Sequence, residues 1–293
     1  MEFHLAHRLV LFPPNYVNIA RYLTHYSSTV NAYASVQNTL SAIKTFYALY
    51  QVTINVNNPI IDMYMKSCRR TMSATSQPKS PIQPAHLVLI PTVLDQDSPL
   101  HKAFYSALLI QFFSCVRKSN LLPVSSNHIK SQKHLKRSDL VPTEDSLVLV
   151  LPWTKTLQNK SNVYTIPIAR SPGAVINPVK TYEDFIALNP APANFPAFSY
   201  ISNGVIKILT QQQYIDVLKM ALERLNIPAA SYSSHSVRRG GTSALFECQI
   251  QPQLIKHHGT WRSNCYTRYL TFSHEQKLKP TQALIHRFNH LFQ

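Results

Sequence analysis

Acidic residues are scarce. Thirteen Asp and Glu stand against 29 Lys and Arg in 293 residues, so the formal net charge is +16 although only 14% of the chain is charged. The basic excess comes mainly from missing acids, and a chain with so few carboxylates is suited to a polyanionic partner. The sequence has no cluster of carboxylates of the kind that holds Mg²⁺. Its four cysteines, Cys68, Cys115, Cys248 and Cys265, form no C-x-x-C pair. That argues against a zinc site and a disulfide framework and fits a reducing compartment. No stretch reaches the roughly 18 apolar residues of a membrane span. The opening MEFHLAHRLVLFPP lacks the long apolar run of a signal peptide. The chain is expected to be soluble and intracellular. There are no internal repeats. Only five glycines occur, and three of them, Gly240, Gly241 and Gly259, fall in one stretch.

That stretch, Ser233 to Leu270, is where the chemistry gathers. His235 and Arg238 lie three apart. In a helix capped by Ser233 or Ser234 they share one face near its N-terminus. Backbone N–H groups, the helix dipole and a guanidinium then converge on one spot, which makes an anion site. Arg is the side chain that grips two phosphate oxygens at once. Trp261, Tyr266 and Tyr269 follow the Gly259 turn. A tyrosine beside a phosphate-gripping Arg/His pair is a candidate nucleophile for covalent phosphoryl transfer. Taken singly, a His is more often a hydrogen-bonded structural residue and a Trp usually core; the order of the set carries the reading.

The rest of the chain reads as two domains joined by a linker. Residues 1–72 give three helices. One opens at Pro13-Pro14-Asn15 and runs through Leu23, one carries Val36, Leu40, Ile43, Tyr47 and Tyr50, and one carries Ile60, Ile61, Tyr64 and Met65 and ends at Arg69 and Arg70. Residues 73–84, rich in Ser and Pro, read as a linker. Residues 85–293 form the second domain. An apolar helix is expected over 103–122, with Arg117 near its end, where an unpaired charge is costly to bury. A basic loop over 128–139 includes Lys133, Lys136 and Arg137; it is a solvated charge run or a set of phosphate contacts. Leu147–Leu151 and Val163–Ile168 read as strands. The hairpin loop between them holds Lys155 and Lys160. Residues 177–194 are helix-like and give way to a Pro-rich piece, an amphipathic helix spans 209–225, and a final helix over 281–292 presents one apolar face.

The ordered set H-x-x-R, G-x-W and a Tyr eight residues on resembles the C-terminal signature of the tyrosine recombinases, the phage-integrase-like superfamily. HSVRRGG and HGTWRSNCYTRYL look most like the recombinases of eukaryotic DIRS-type and Crypton-type mobile elements. Arg117 matches the family's first catalytic Arg, although Asn120 stands where many members have an acid. Trp153, Lys155, Thr156 and Gln158 match the W-x-K-T-x-Q context of the family's catalytic Lys, which favours Lys155 over Lys160. Spacing from Trp261 favours Tyr269 over Tyr266. The resemblance spans nearly the whole chain. It implies a mainly α fold with a small antiparallel β-sheet, built from an N-terminal helical core-binding (SAM-like) domain and a tyrosine-recombinase catalytic domain. It implies DNA cleavage and rejoining through a 3′-phosphotyrosyl intermediate, with Arg117, Lys155, His235, Arg238, Trp261 and Tyr269 as the catalytic set. Arg69, Arg70, Lys133, Lys136 and Arg137 are the further DNA contacts expected. No cofactor or metal, no membrane and no small-molecule substrate are implied. The partner is double-stranded DNA, bound by a homotetramer on paired sites, in the nucleus of a eukaryote and otherwise the cytoplasm. The alternatives are a type IB topoisomerase-like enzyme, or a decayed or domesticated DNA-binding protein of the same fold. A protein-interaction role without DNA suits the charge of +16 least.

Overall fold

The computed structural model describes residues 2–72, 79–128, 133–151, 163–261, 263–269, 278, 281–282 and 285; the side chains of 128, 265, 268 and 269 lie outside that description. The chain divides into two compact units, Met1–Pro78 and Lys79–Gln293. Among the described residues, no helix is long and apolar enough to cross a membrane.

The first unit is helical: α1 (Glu2–Ala6), α2 (Tyr16–Ser27), α3 (Tyr33–Leu49) and α4 (Pro59–Thr71). Short polar caps start two of them. Asn15 accepts from the Val17 and Asn18 N–H groups, at 2.9 and 3.2 Å. Asn58 accepts from Ile60 N–H at 3.0 Å with Pro59 in the first turn, where its missing N–H costs nothing. The three longer helices close over Ile19, Leu23, Val36, Tyr47, Ile54, Ile61 and Met65. Two apolar positions of the sequence pattern, Tyr50 and Ile60, lie outside this core. The short helix α1 has no counterpart in the sequence reading.

The second unit takes in residues that the sequence assigns to the linker. Ile82 is fully buried. Its N–H donates to the Ser236 carbonyl at 2.9 Å, and that of Ser80 donates to the Ser231 carbonyl at 2.8 Å. This strap runs against α10 (Ser234–Glu247), which it can approach because Gly240 has no side chain: a Cβ there would stand 2.0 Å from the Ile82 carbonyl oxygen.

Helix α5 (Pro84–Val93) leads to α6 (Pro99–Ser114), the centre of the unit. Ten of its residues, from Ala103 to Ser114, are buried, as befits a helix covered on all sides. It packs against α8 (Pro178–Leu188) and α10. The expected continuation to residue 122 does not occur. Cys115 turns left-handed, with φ of 52°, and a separate short helix α7 (Lys118–Leu121) follows.

The main sheet has three antiparallel strands, β1 (Leu140–Pro142), β2 (Ser146–Leu151) and β3 (Tyr164–Ala169), in that order. Leu147 lies opposite Ile168 and Leu149 opposite Ile166, so their side chains enter the core from one face. A second hairpin, β4 (Ser199–Ser202) and β5 (Val205–Ile208), follows the Pro-rich piece and has no counterpart in the sequence reading. Then come α9 (Gln211–Arg224), α10, α11 (Pro252–His258) and a 3-10 turn over Asn264–Tyr269. The final helix expected over 281–292 lies largely outside the described residues. The fold is mainly α-helical with small antiparallel sheets, as the sequence implies.

Candidate active site

Three distant pieces of sequence meet at one cavity of about 220 Å³. Arg117 and Lys118 come from the turn after α6, Ser234, His235 and Arg238 from the start of α10, and Gln211 from the start of α9. No Asp or Glu lines it among the described residues.

The local sequence explains why each side chain arrives there. The left-handed Cys115 reverses the chain, so that Arg117 stands as the extended residue that caps α7. Ser233 caps α10: its hydroxyl accepts from His235 N–H at 3.3 Å, and its own N–H donates to Ser236 Oγ at 2.9 Å. His235 is then in the first turn and Arg238 one turn further along the same face. Gly241 lets α10 settle on α6, since a Cβ there would stand 2.1 Å from the Phe112 carbonyl oxygen.

Arg238 is buried, and its Nη2 donates to the Gly259 carbonyl at 2.7 Å. Its guanidinium lies over the Trp261 ring, 4.0 Å from the ring centre to Cζ. The indole reaches that place because Gly259 leaves it room; a Cβ at 259 would stand 1.5 Å from a ring carbon. Trp261 packs in turn on Tyr266, Cys115 and Ile255. It therefore supports the arginine from behind and does not line the cavity.

The electrostatics are those of an anion site. Arg117, Lys118 and Arg238 bring three formal positive charges to one small volume. The His235 ring reaches solvent, yet its pKa is lowered, first by partial burial and then by the nearby charges of Arg238, Lys118 and Arg117. Burial also lowers the pKa of Lys118. Arg117 Nη1 is buried and has no hydrogen-bond partner among the described residues. A guanidinium donor in that position is costly unless an acceptor is supplied.

Of the six residues assigned to catalysis from sequence, Arg117, His235 and Arg238 come together at the cavity. Trp261 lies behind them. Tyr269 closes the 3-10 turn that follows Trp261, and nothing of its side chain is described. Lys155 and its matching neighbours Trp153, Thr156 and Gln158 lie outside the described residues. Tyr266, the other tyrosine candidate, is buried, 6% exposed, with its ring centre 5.8 Å from that of Trp261.

Among the expected DNA contacts, Arg69 and Arg70 are exposed in the last turn of α4 and Lys133 is exposed. Lys136 is half-buried. Arg137 is half-buried as well, and its contacts are with the protein. Its Nη2 donates to the carbonyls of Asn189 at 3.0 Å and Ser199 at 2.7 Å, and its guanidinium lies 5.1 Å from the centre of the Phe185 ring. The carbonyls that end α8 and open β4 need a donor, and Arg137 supplies it, so the side chain is turned inward.

Sequence reasoning missed Lys118, which its adjacency to Arg117 could have signalled. It also missed Gln111, which lines the cavity from α6 with no charge and no motif to mark it.

No protein-family model matches the chain, and no curated protein matches it in sequence. Solved structures do match. The XerH site-specific recombinase bound to a palindromic difH substrate, in a post-cleavage complex, is 12% identical with a TM-score of 0.58, over 94% of this chain and 72% of that one. The Tn1549 transposon integrase in complex with circular intermediate DNA is 14% identical with a TM-score of 0.58, over 92% and 85%. A lambda integrase dimer bound to a COC′ core site is 16% identical with a TM-score of 0.55, over 89% and 81%. At these identities the likeness is one of architecture, and it is specific: the chain has the fold of the tyrosine recombinases and integrases.

Proposed function

We propose that this protein is a site-specific DNA recombinase or integrase that cleaves and rejoins strands through a 3′-phosphotyrosyl intermediate. The observation that carries the reading is the convergence of Arg117, His235 and Arg238 on one cation-lined cavity, with Arg117 Nη1 buried and lacking an acceptor among the described residues. A phosphodiester oxygen meets that need. The fold supports the same reading, because the similar XerH recombinase is bound to its difH substrate and the similar Tn1549 integrase to circular intermediate DNA.

In this mechanism Tyr269 attacks the phosphorus of a backbone phosphate. The P–O bond to the 5′-oxygen breaks, the tyrosyl oxygen takes its place, and a 5′-hydroxyl leaves. Arg117 and Arg238 bind the non-bridging oxygens and stabilise the charge of the transition state. His235 makes a hydrogen bond at the same phosphate. Trp261 fixes the plane of Arg238. Lys155 protonates the leaving 5′-oxygen; a general acid contributes about 10² to 10⁴ in rate. The new phosphotyrosyl bond conserves the energy of the old one, so rejoining needs no nucleotide cofactor. Guanidinium groups neutralise the phosphate where other enzymes use a divalent ion, and the cations at the cavity repel such an ion.

The finer reading is that the enzyme resembles those of DIRS-type or Crypton-type elements, assembles as a homotetramer on paired duplex sites and works in the nucleus of a eukaryotic host. Arg69, Arg70, Lys133 and Lys136 contact phosphates outside the cavity. The deciding experiment incubates the protein with nicked suicide duplexes drawn from the ends of its element and looks for a covalent adduct on a denaturing gel. The adduct is expected in excess EDTA and absent from Tyr269→Phe. Duplex binding with no adduct in the wild type would instead favour a DNA-binding protein that kept the fold and lost the chemistry.

A further inference from the structure

We infer that Gln111 and Tyr214 form a buried positioning device that sets the distance between the two arms of the phosphate site. The inference rests on the reading of the cavity as a phosphate site.

Arg117 and His235 belong to segments far apart in sequence. One side chain bonds to the backbones beside both. Gln111, fully buried on α6, donates its carboxamide N–H groups to two carbonyls, Val116 at 3.3 Å and Ser234 at 3.5 Å. Each carbonyl belongs to the residue directly before a site residue, Val116 before Arg117 and Ser234 before His235. The carboxamide oxygen accepts from the Tyr214 hydroxyl at 2.6 Å. Tyr214 is itself fully buried on α9.

The chemistry of the amide fixes its orientation. Two carbonyls require two donors, and a phenol that donates requires an acceptor. Turning the amide over would set its oxygen against two carbonyl oxygens and its N–H₂ against the phenol proton. Burial raises the Tyr214 pKa well above its ordinary value, so the phenol remains a donor throughout the working range. Such a network is rigid when complete and expensive when broken, because no water replaces a missing partner in the core. Three elements, α6, α9 and α10, are thus tied at the one point that spaces Arg117 from His235. Gln111 lines the cavity, but both polar atoms of its carboxamide are engaged by Val116, Ser234 and Tyr214.

The test uses the full chain and a nicked suicide duplex. Gln111→Met keeps the volume and removes every polar atom, and Tyr214→Phe removes one oxygen. Tyr105→Phe is the control, since its phenol donates to the Leu87 carbonyl at 3.1 Å, away from the site. Rates of adduct formation are measured at saturating protein, alongside duplex Kd and Tm. Gln111→Met is expected to lose at least about 10-fold in rate per folded molecule, with Kd within about 3-fold. Tyr214→Phe loses less, and adding it to Gln111→Met costs little more, because both act through one chain of bonds. Tyr105→Phe cleaves at the wild-type rate. A purely structural role would lower Tm and leave the rate per folded molecule unchanged; that outcome in Gln111→Met overturns the inference. If Gln111→Met does not fold, a wild-type rate in Tyr214→Phe overturns it equally. A wild-type protein that forms no adduct refutes the recombinase reading instead, which keeps the two failures apart.

Discussion

Arg238 rests on Trp261, its guanidinium carbon 4.0 Å from the centre of the indole ring. The pair makes a rigid unit of two residues 23 positions apart, and Gly259 supplies both the room for the ring and the carbonyl that accepts from Arg238. A stacked, desolvated guanidinium gains about 2 kcal/mol from such a ring. Trp261→Ala should therefore slow adduct formation on the order of 30-fold if all of that is used in the transition state. Gly259→Ala should do the same with the tryptophan still present, since a Cβ there would stand 1.5 Å from the ring. Both are read as adduct rate at saturating protein. A wild-type rate in Gly259→Ala would mean that the stack does not support the site.

The two tyrosines after Trp261 separate by burial. Tyr266 is 6% exposed and packed on the indole, so it cannot reach a DNA phosphate without unfolding its own core. Tyr266→Phe keeps the ring and should keep adduct formation, while Tyr269→Phe should bind duplex normally and form none. An adduct in Tyr269→Phe would sink the assignment.

Much of the fold is legible because the sequence pattern and the packing agree. The caps at Asn15, Asn58 and Ser233 and the β2–β3 alternation are local signals with local causes. The β4–β5 hairpin carries a local signal too. Asn203 and Gly204 take φ of 54° and 73°, the turn that Asn-Gly favours, but the sequence reading passes from the Pro-rich piece to the helix at 209 without using it. Other features have no local signal. The end of α6 is set by Cys115 in a left-handed conformation that cysteine rarely adopts, imposed by packing. Arg137 reads as one more charge in a basic run, and only the carbonyls at Asn189 and Ser199, more than 50 residues away, turn it inward. Arg117, His235 and Arg238 are visible from motif order. Gln111 is not, because a neutral residue on an apolar helix becomes a positioning group only through its partners in space.

Acid should weaken the fold and strengthen DNA binding. The pKa values of His4, His86, His235 and His258 are all lowered, with burial the first cause in each. The unfolded chain, with His near 6.5, takes up protons before the folded one as pH falls, so stability declines below about pH 6.5. Above that both states are neutral and the dependence vanishes. Melting temperature between pH 7.5 and 5 checks this. A bound phosphate opposes the effect at His235 by favouring its charged form. Affinity for duplex should thus rise on acidification, and rise less in His235→Asn. An equal rise in both would place His235 away from the DNA.

The positive charge outside the cavity should act through phosphates, and its two kinds of residue should separate by salt dependence. Each phosphate neutralised releases condensed counterions, so log K falls with log salt at about −0.9 per contact. A protein making 6 to 10 such contacts would lose roughly 10³ to 10⁵ in affinity between 50 and 200 mM salt. Replacing Lys133 and Lys136 by Ala should shallow the slope by up to about 2 and leave the cleavage rate of bound complexes intact, because neither lines the cavity. Arg137→Met should behave in the opposite way. Its guanidinium is committed to the Asn189 and Ser199 carbonyls, so its loss should leave the slope unchanged. It should cost about 2 kcal/mol of stability, the range for hydrogen bonds to a charged group. A slope that shallows in Arg137→Met, with stability unchanged, would return that residue to the DNA surface. A slope indifferent to Lys133 and Lys136 would leave those two as solvated charge.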